Sequence, residues 1–274
     1  MNRLWLGLGS VLVLIAIGAY FWLRQAPQPP QAQVAAPPPI APPATTAPAE
    51  PAIRHPIEAP PGTTELPPLE RADGFVRERI AELLGAKAVN TFIRIEGFVR
   101  RAVATLDNLS RPLAPPRMWP IRTTPGRFSV DRAGGGQVIG AKNAARYAPF
   151  VALVESVDAA RAVALYRRLY PLFQRAYEEL GYPGKYFNDR VVAVIDLLLA
   201  TPEPPGPLGV ELPEIEGPRK PTRPWVLYRF SDPTLEKLSS GQKILLRVGR
   251  ENEKRLKAKL AEIRKLIAVE KAAR

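Results

Sequence analysis

The chain reads as mainly α: an N-terminal transmembrane helix, a disordered proline-rich linker, and a single α-helical domain carrying a small β-hairpin element. Three observations predict this. Residues 4–23 carry no charge, residues 26–68 are dense in proline, and beyond residue 69 apolar side chains recur at helical spacing. The expected boundaries are 1–25 for the anchor, 26–68 for the linker and 69–274 for a basic helical domain.

The anchor is "LWLGLGSVLVLIAIGAYFWL", bracketed by Arg3 and Arg24. An apolar helix of that length reaches roughly 30 Å, the hydrocarbon thickness of a bilayer. Trp5, Tyr20, Phe21 and Trp22 lie near its ends, where amphipathic rings settle at headgroup depth. A cleavable signal peptide would be shorter and would end in a small-x-small site, whereas this run enters bulky "AYFWLRQ". The short leading end with Arg3 argues for a cytoplasmic N-terminus, which sends the body to the outer side; Arg24 argues the other way.

The linker, with "APQPPQAQVAAPPPIAPPATTAPAEPA", lacks the donors and apolar bulk for a core and favours extended polyproline II. The one histidine, His55, lies within it and reads as a solvated spacer residue.

In the body, Asp73 is placed to cap a helix through Leu84, which carries Val76, Ile80, Leu83 and Leu84 on one face and stops at Gly85. A second helix follows from Phe98 through Leu106 to about Asn108. "GRFSVDRAGGGQVIG" predicts a hairpin around Gly134, Gly135 and Gly136. Helices are expected at about 141–157, restarting at Pro149, and at 158–169, with Pro171 kinking the chain or opening a new helix that ends at Gly181. Asn188 is placed to cap "DRVVAVIDLLLATP", apolar nearly all round and therefore central. "PWVLYRF" is an edge-strand candidate, and two closing helices span 232–248 and 250–269.

Composition excludes several chemistries. The chain has no cysteine and one histidine, which removes thiolate, Ser-His-Asp and Cys-His catalysis and sulfur- or histidine-built zinc sites. No cofactor and no metal is implied. The net charge is +13, and because residues 1–68 balance three arginines against three glutamates, the excess belongs to the body. Such a surface favours anionic partners.

Three groups of candidate residues follow. Between Leu169 and Arg190, Tyr177, Tyr182, Tyr186, Phe187 and Asn188 are the ligand-binding candidates. Glu178, Glu179 and Asp189 are the carboxylates from which a two-carboxylate glycosidic site would be built. The spacing of Tyr166, Tyr170, Phe173 and Tyr177 is that of one helical face, so these rings are expected to pack as core, with Glu178, Asp189 or backbone groups serving the hydroxyls. Arg250, Lys254, Lys257 and Lys259 are the anionic-surface candidates on the last helix, whose seam of Leu256, Leu260, Ile263 and Ile267 suits packing on its own domain. "SSGQK" matches S-x-x-K at Ser240 and Lys243, but the companion motifs of penicillin-recognising enzymes do not occur, and a helix start explains it.

The motifs "RAVATLDNLSRP", "RYAPFVALVESVDAARAVALYRRLYPLFQRAYEELGYPGKYFNDRVVAVIDLLLATPEP" and "VLYRFSDPTLEKLSSGQKILLRVG" resemble a bacterial family, domain of unknown function 3014, from about Pro67 to Ile267. The resemblance implies a Gram-negative envelope protein with this same layout, and it supplies no catalytic residues. The expectation is a single-pass protein of the bacterial inner membrane, N-terminus cytoplasmic and C-terminal domain periplasmic. Residues 4–23 would contact lipid, and the body would be a binding or scaffolding module for an anionic cell-wall polymer or an envelope protein. The alternatives are a carboxylate-dependent cell-wall hydrolase or, with a cytoplasmic body, a nucleic-acid-binding membrane protein, for which no fold signature is found.

Overall fold

A computed structural model describes residues 53–58, 65–214 and 221–268. The chain divides into a unit at Met1–Pro48, outside those residues, and a unit at Ala49–Arg274. No helix among the described residues is long and apolar enough to cross a membrane. The expected anchor at 4–23 and the linker residues 26–52 and 59–64 lie outside the described residues.

The body is mainly helical with a small antiparallel sheet. Its helices are α1 (Asp73–Leu84), α2 (Ala86–Phe92), α3 (Phe98–Leu109), α4 (Ala148–Ser156), α5 (Ala159–Glu179), α6 (Phe187–Leu199), α7 (Pro233–Glu236), α8 (Ser240–Arg247) and α9 (Arg250–Ile267). The strands are β1 (Val130–Ala133), β2 (Gly136–Ile139), β3 (Gly209–Glu211) and β4 (Arg229–Phe230), in that spatial order.

The expected hairpin is β1–β2, with Val130 opposite Ile139 and Ala133 opposite Gly136. Gly134 and Gly135 have φ of 58° and 79°, the pair of positive values that a two-residue type I′ turn demands. "PWVLYRF" supplies the edge strand β4 only at its last two residues, after a short 3-10 turn at Pro224–Val226.

Val76 and Ile80 of α1, Val99 and Val103 of α3, Leu169 and Phe173 of α5, Val192 and Ile195 of α6 and Ile267 of α9 form one buried cluster. Helix α6 is central as expected, touching α3, α5, α8 and α9. The seam of α9 packs on its own domain: Leu260 and Ile263 join the main core, and Leu256 meets a smaller cluster of Val194, Leu198 and Leu245. Beneath the sheet, Val210 and Phe230 pack with Leu235 and Leu246. Gly241 lets α8 approach closely, since a Cβ there would stand 2.7 Å from Leu198 and 2.9 Å from the Leu109 carbonyl oxygen.

Several expectations are corrected. The closing helix expected over 232–248 is broken between α7 and α8, and the one expected over 141–157 opens as a 3-10 segment at Ala141–Arg146 before α4. Asp73 does not cap α1; its carboxylate accepts from the Gly97 N–H at 2.8 Å, tying the α1 start to the turn before α3. The helix at Ala86–Phe92 was not foreseen. Helix α5 runs unbroken from Ala159 to Glu179 through Pro171; that proline faces solvent, where water can serve the carbonyl it leaves unpaired. Asn188 is not a cap, because α6 begins at Phe187 and the Asn188 side chain is fully buried. Residues 53–58, expected to be disordered linker, lie ordered against the body.

Candidate functional site

Helix α5 presents Tyr166, Tyr170, Phe173 and Tyr177 at spacings of three and four, and all four rings face inward. Tyr166 meets Tyr170 edge-on at 5.7 Å, Phe173 stacks on Phe187 at 6.0 Å, and Tyr177 stacks on Tyr182 at 4.5 Å. The aromatic stretch is therefore core, as its period predicts. Burial, with the neighbouring Tyr186 adding to it, pushes the Tyr166 phenol far above its ordinary value. Burial does the same at Tyr170, helped by its hydrogen bond with Tyr186.

The hydroxyls of Tyr166, Tyr170 and Tyr182 have partners other than the glutamates. Tyr166 donates to Asn188 Oδ1 at 3.2 Å, Tyr170 to Gln174 Oε1 at 3.0 Å, and Tyr182 to Asp107 at 3.1 Å. Gln174 is a small hub, since its Oε1 also accepts the Phe187 N–H at 2.8 Å and its Nε2 donates to the Lys185 carbonyl.

The candidate carboxylates are dispersed by these contacts. Glu178 accepts from Gln174 Nε2 at 2.8 Å on the surface. Glu179 pairs with Arg100 and Arg175 at 3.0 and 3.2 Å, and Arg100 in turn holds Glu70. Asp189 serves backbone groups elsewhere in the chain.

Those groups belong to Ile53–Glu58. The segment bends at Arg54 and His55 and then runs on without regular structure, with His55 and Ile57 half-buried toward the body and Arg54, Pro56 and Glu58 exposed. Asp189 accepts the Arg54 N–H at 3.1 Å on one oxygen and the His55 N–H at 2.8 Å on the other. The Tyr186 hydroxyl accepts the Ile57 N–H at 2.7 Å. Asn188 Nδ2 donates to the His55 carbonyl at 2.9 Å and also to the carbonyl of Ile267, where α9 ends. Pro56 has no N–H to offer, so every backbone donor from Arg54 to Ile57 is taken. The expected solvated His55 is thus half-buried, and its Nδ1 has no partner among the described residues.

So Tyr186, Asn188 and Asp189 come together at the start of α6, joined by the buried Tyr166 and Tyr170. Tyr177, Tyr182 and Phe187 stay in the ring stack behind them. Sequence reasoning named the groove residues but missed their occupant. No side-chain pattern marks that occupant, since Ile53 is exposed and Ile57 alone of the segment packs on the core.

The basic candidates on α9 divide. Lys257 is drawn inward to the Thr201 carbonyl at 2.7 Å, Glu203 at 3.0 Å and Glu253 at 2.9 Å. Lys259 is held by the Val157 carbonyl and Glu262. Lys254 reaches Glu251 on the surface, and Arg250 donates to the Pro204 carbonyl. Along α9 Glu253 pairs with Lys257 one turn on, while Arg255 reaches across to Glu155.

A different surface concentrates positive charge. Arg94 and Arg101 both donate to the backbone carbonyl of Arg117, which puts their guanidinium nitrogens no more than about 6 Å apart. The backbone holds them there: Arg94 N–H bonds to Pro120, Arg122 N–H bonds to Phe92, and Ile93 bridges Ile121. Among the described residues no carboxylate pairs with Arg94, Arg101, Arg117 or Arg122. Two cations at that separation repel by roughly 0.7 kcal/mol in water, and a bound anion reverses the sign.

The "SSGQK" segment is a helix start. Ser239 and Gln242 form a capping box, Ser240 Oγ donates to the Asn108 carbonyl at 2.8 Å, and Lys243 pairs with Glu236 at 2.9 Å rather than with the serine.

A family model described as Protein of unknown function (DUF3014) matches residues 98–264, more than half of the chain. The match begins at Phe98 rather than near Pro67. It therefore includes the groove residues and omits the segment that fills the groove. No curated protein and no solved structure matches.

Proposed function

The chain belongs to the DUF3014 family, whose function is unknown, and from that premise we propose that it is a membrane-anchored binding module of the bacterial envelope. Residues 4–23 span the inner membrane, the proline-rich spacer carries the body into the periplasm, and the body engages an anionic cell-wall polymer. The observation that carries this reading is the arginine surface: Arg94 and Arg101 converge on the Arg117 carbonyl, and no carboxylate among the described residues pairs with them. A body that bears the whole +13 excess adds long-range attraction to the same end.

The surface is built for charge rather than shape. Its guanidiniums are pinned by backbone carbonyls, so little side-chain freedom is lost when an anion arrives. Anchoring the body by one helix keeps it close to the polymer, which raises the effective concentration of a weak contact.

The experiment is topological. A compartment-sensitive reporter is fused after Arg274 and expressed in a Gram-negative host. Activity on the outer side is the expected result. Activity in the cytoplasm removes the polymer as partner and transfers the basic surface to nucleic acid or the inner leaflet.

A further inference from the structure

We propose that the groove of Tyr186, Asn188 and Asp189 is a peptide-binding site that reads the backbone of a bent segment, and that the chain's own Arg54–Ile57 occupies it in cis until another polypeptide segment of the same kind displaces it. The proposal needs neither the membrane anchor nor the arginine surface.

Three observations carry it. Among the described residues, every hydrogen bond between the groove and the segment ends on the segment's backbone: the N–H groups of Arg54, His55 and Ile57, and the carbonyls of His55 and Ile57. The side chains contribute little to recognition. Arg54 and Pro56 face solvent, Ile53 is 48% exposed, and Ile57 alone joins the main core.

The groove itself is preorganised. Asn188 is fully buried and fixed from behind by Tyr166, its N–H is fixed by Tyr170, and its amide also holds the end of α9. Asp189 stands in the first turn of α6, where the helix dipole favours its charge and so its role as double acceptor. The ligand class follows. It is a peptide that can bend at its first two positions, with free N–H groups at its first, second and fourth positions, an indifferent third position that tolerates proline, and a branched apolar residue at the fourth.

The test uses the full chain in detergent micelles with a fluorescent peptide of residues 51–60, read by anisotropy. A chain whose residues 53–58 are replaced by glycine and serine binds the peptide saturably. The unaltered chain binds it at least about tenfold more weakly, because its own segment competes at high effective concentration. N-methylation at the His55 nitrogen of the peptide weakens binding at least about tenfold, the loss of a charge-assisted bond to Asp189. Replacing Arg54 of the peptide by alanine changes little.

A replaced chain that melts like the original yet ignores the peptide overturns the proposal, as does an N-methylated peptide that binds equally well. Should the replaced chain fail to fold, the unaltered chain decides. Excess peptide bearing Arg54→Gln, which trypsin cannot cut there, speeds tryptic cleavage after Arg54 of the chain. An unchanged rate at saturating peptide overturns the exchange.

Discussion

Asp107 is the charge on which the joint between α3, α6 and the loop after α5 depends, and Asp107→Asn tests this. Its carboxylate is 3% exposed. One oxygen takes Arg190 Nη2 at 2.9 Å, and the other takes Arg111 at 2.6 Å and the Tyr182 hydroxyl at 3.1 Å. Removing one partner of a buried ion pair costs about 3–5 kcal/mol when the other charge stays buried. Here Arg190 is 27% and Arg111 52% exposed, so both partly rehydrate and the expected loss falls to about 2–3 kcal/mol. For a body of this size that is a fall in melting temperature of roughly 4–12 °C. The assay is thermal and urea unfolding of the full chain in micelles, followed by circular dichroism. Arg111→Gln, which removes only the exposed partner, should cost less than about 1 kcal/mol. A loss below about 1 kcal/mol for Asp107→Asn, or an equal loss for Arg111→Gln, refutes the reasoning.

Acid stability depends on Glu236. Desolvation pushes its carboxyl up, but hydrogen bonds from Lys243 and the Phe230 N–H outweigh it and hold it below the ordinary value. A depressed carboxyl stabilises above the unfolded pKa and loses that contribution as pH falls through the folded one, so urea midpoints should drop below about pH 4, less steeply in Glu236→Gln. At the alkaline end the buried Tyr166 and Tyr170 phenols have raised folded values. Their stabilisation is complete below about pH 10 and declines above it by up to about 1.4 kcal/mol per pH unit for each phenol, which Tyr170→Phe should reduce in alkaline melts. Gly241→Ala should destabilise by about 1–3 kcal/mol in urea unfolding, since the added carbon has only 2.7 Å to Leu198; a stabilised variant would show that α8 can shift.

The elements legible in the sequence were those with a local cause. Helices α1, α3 and α6 announce themselves by apolar period and the hairpin by its glycines. The ring face of α5 was correctly taken as core. Helix α5 hid its continuity because Pro171 is a breaker by local rules, and only its solvent-facing position removes the conflict. Asn188 hid its role because an asparagine before an apolar run normally caps, whereas here burial commits its amide to carbonyls at His55 and Ile267.

The groove was half legible. Tyr186, Asn188 and Asp189 stood out by type, but their occupant binds through backbone atoms more than 125 residues away in sequence, a contact that leaves no side-chain pattern. The arginine surface was missed for a related reason. The expectation followed charge density to α9, while Arg94 and Arg101, brought together by a loop carbonyl, are cations that pair with no carboxylate among the described residues. Density along the chain does not show which cations are already paired.

The most direct test of the account is co-sedimentation of the full chain with purified cell-wall sacculi across a salt series, beside an Arg94→Gln, Arg101→Gln, Arg117→Gln variant. The account predicts binding that falls with rising salt and, at low salt, at least about tenfold weaker retention of the folded variant. Equal retention of the two chains, or binding indifferent to salt, would contradict it.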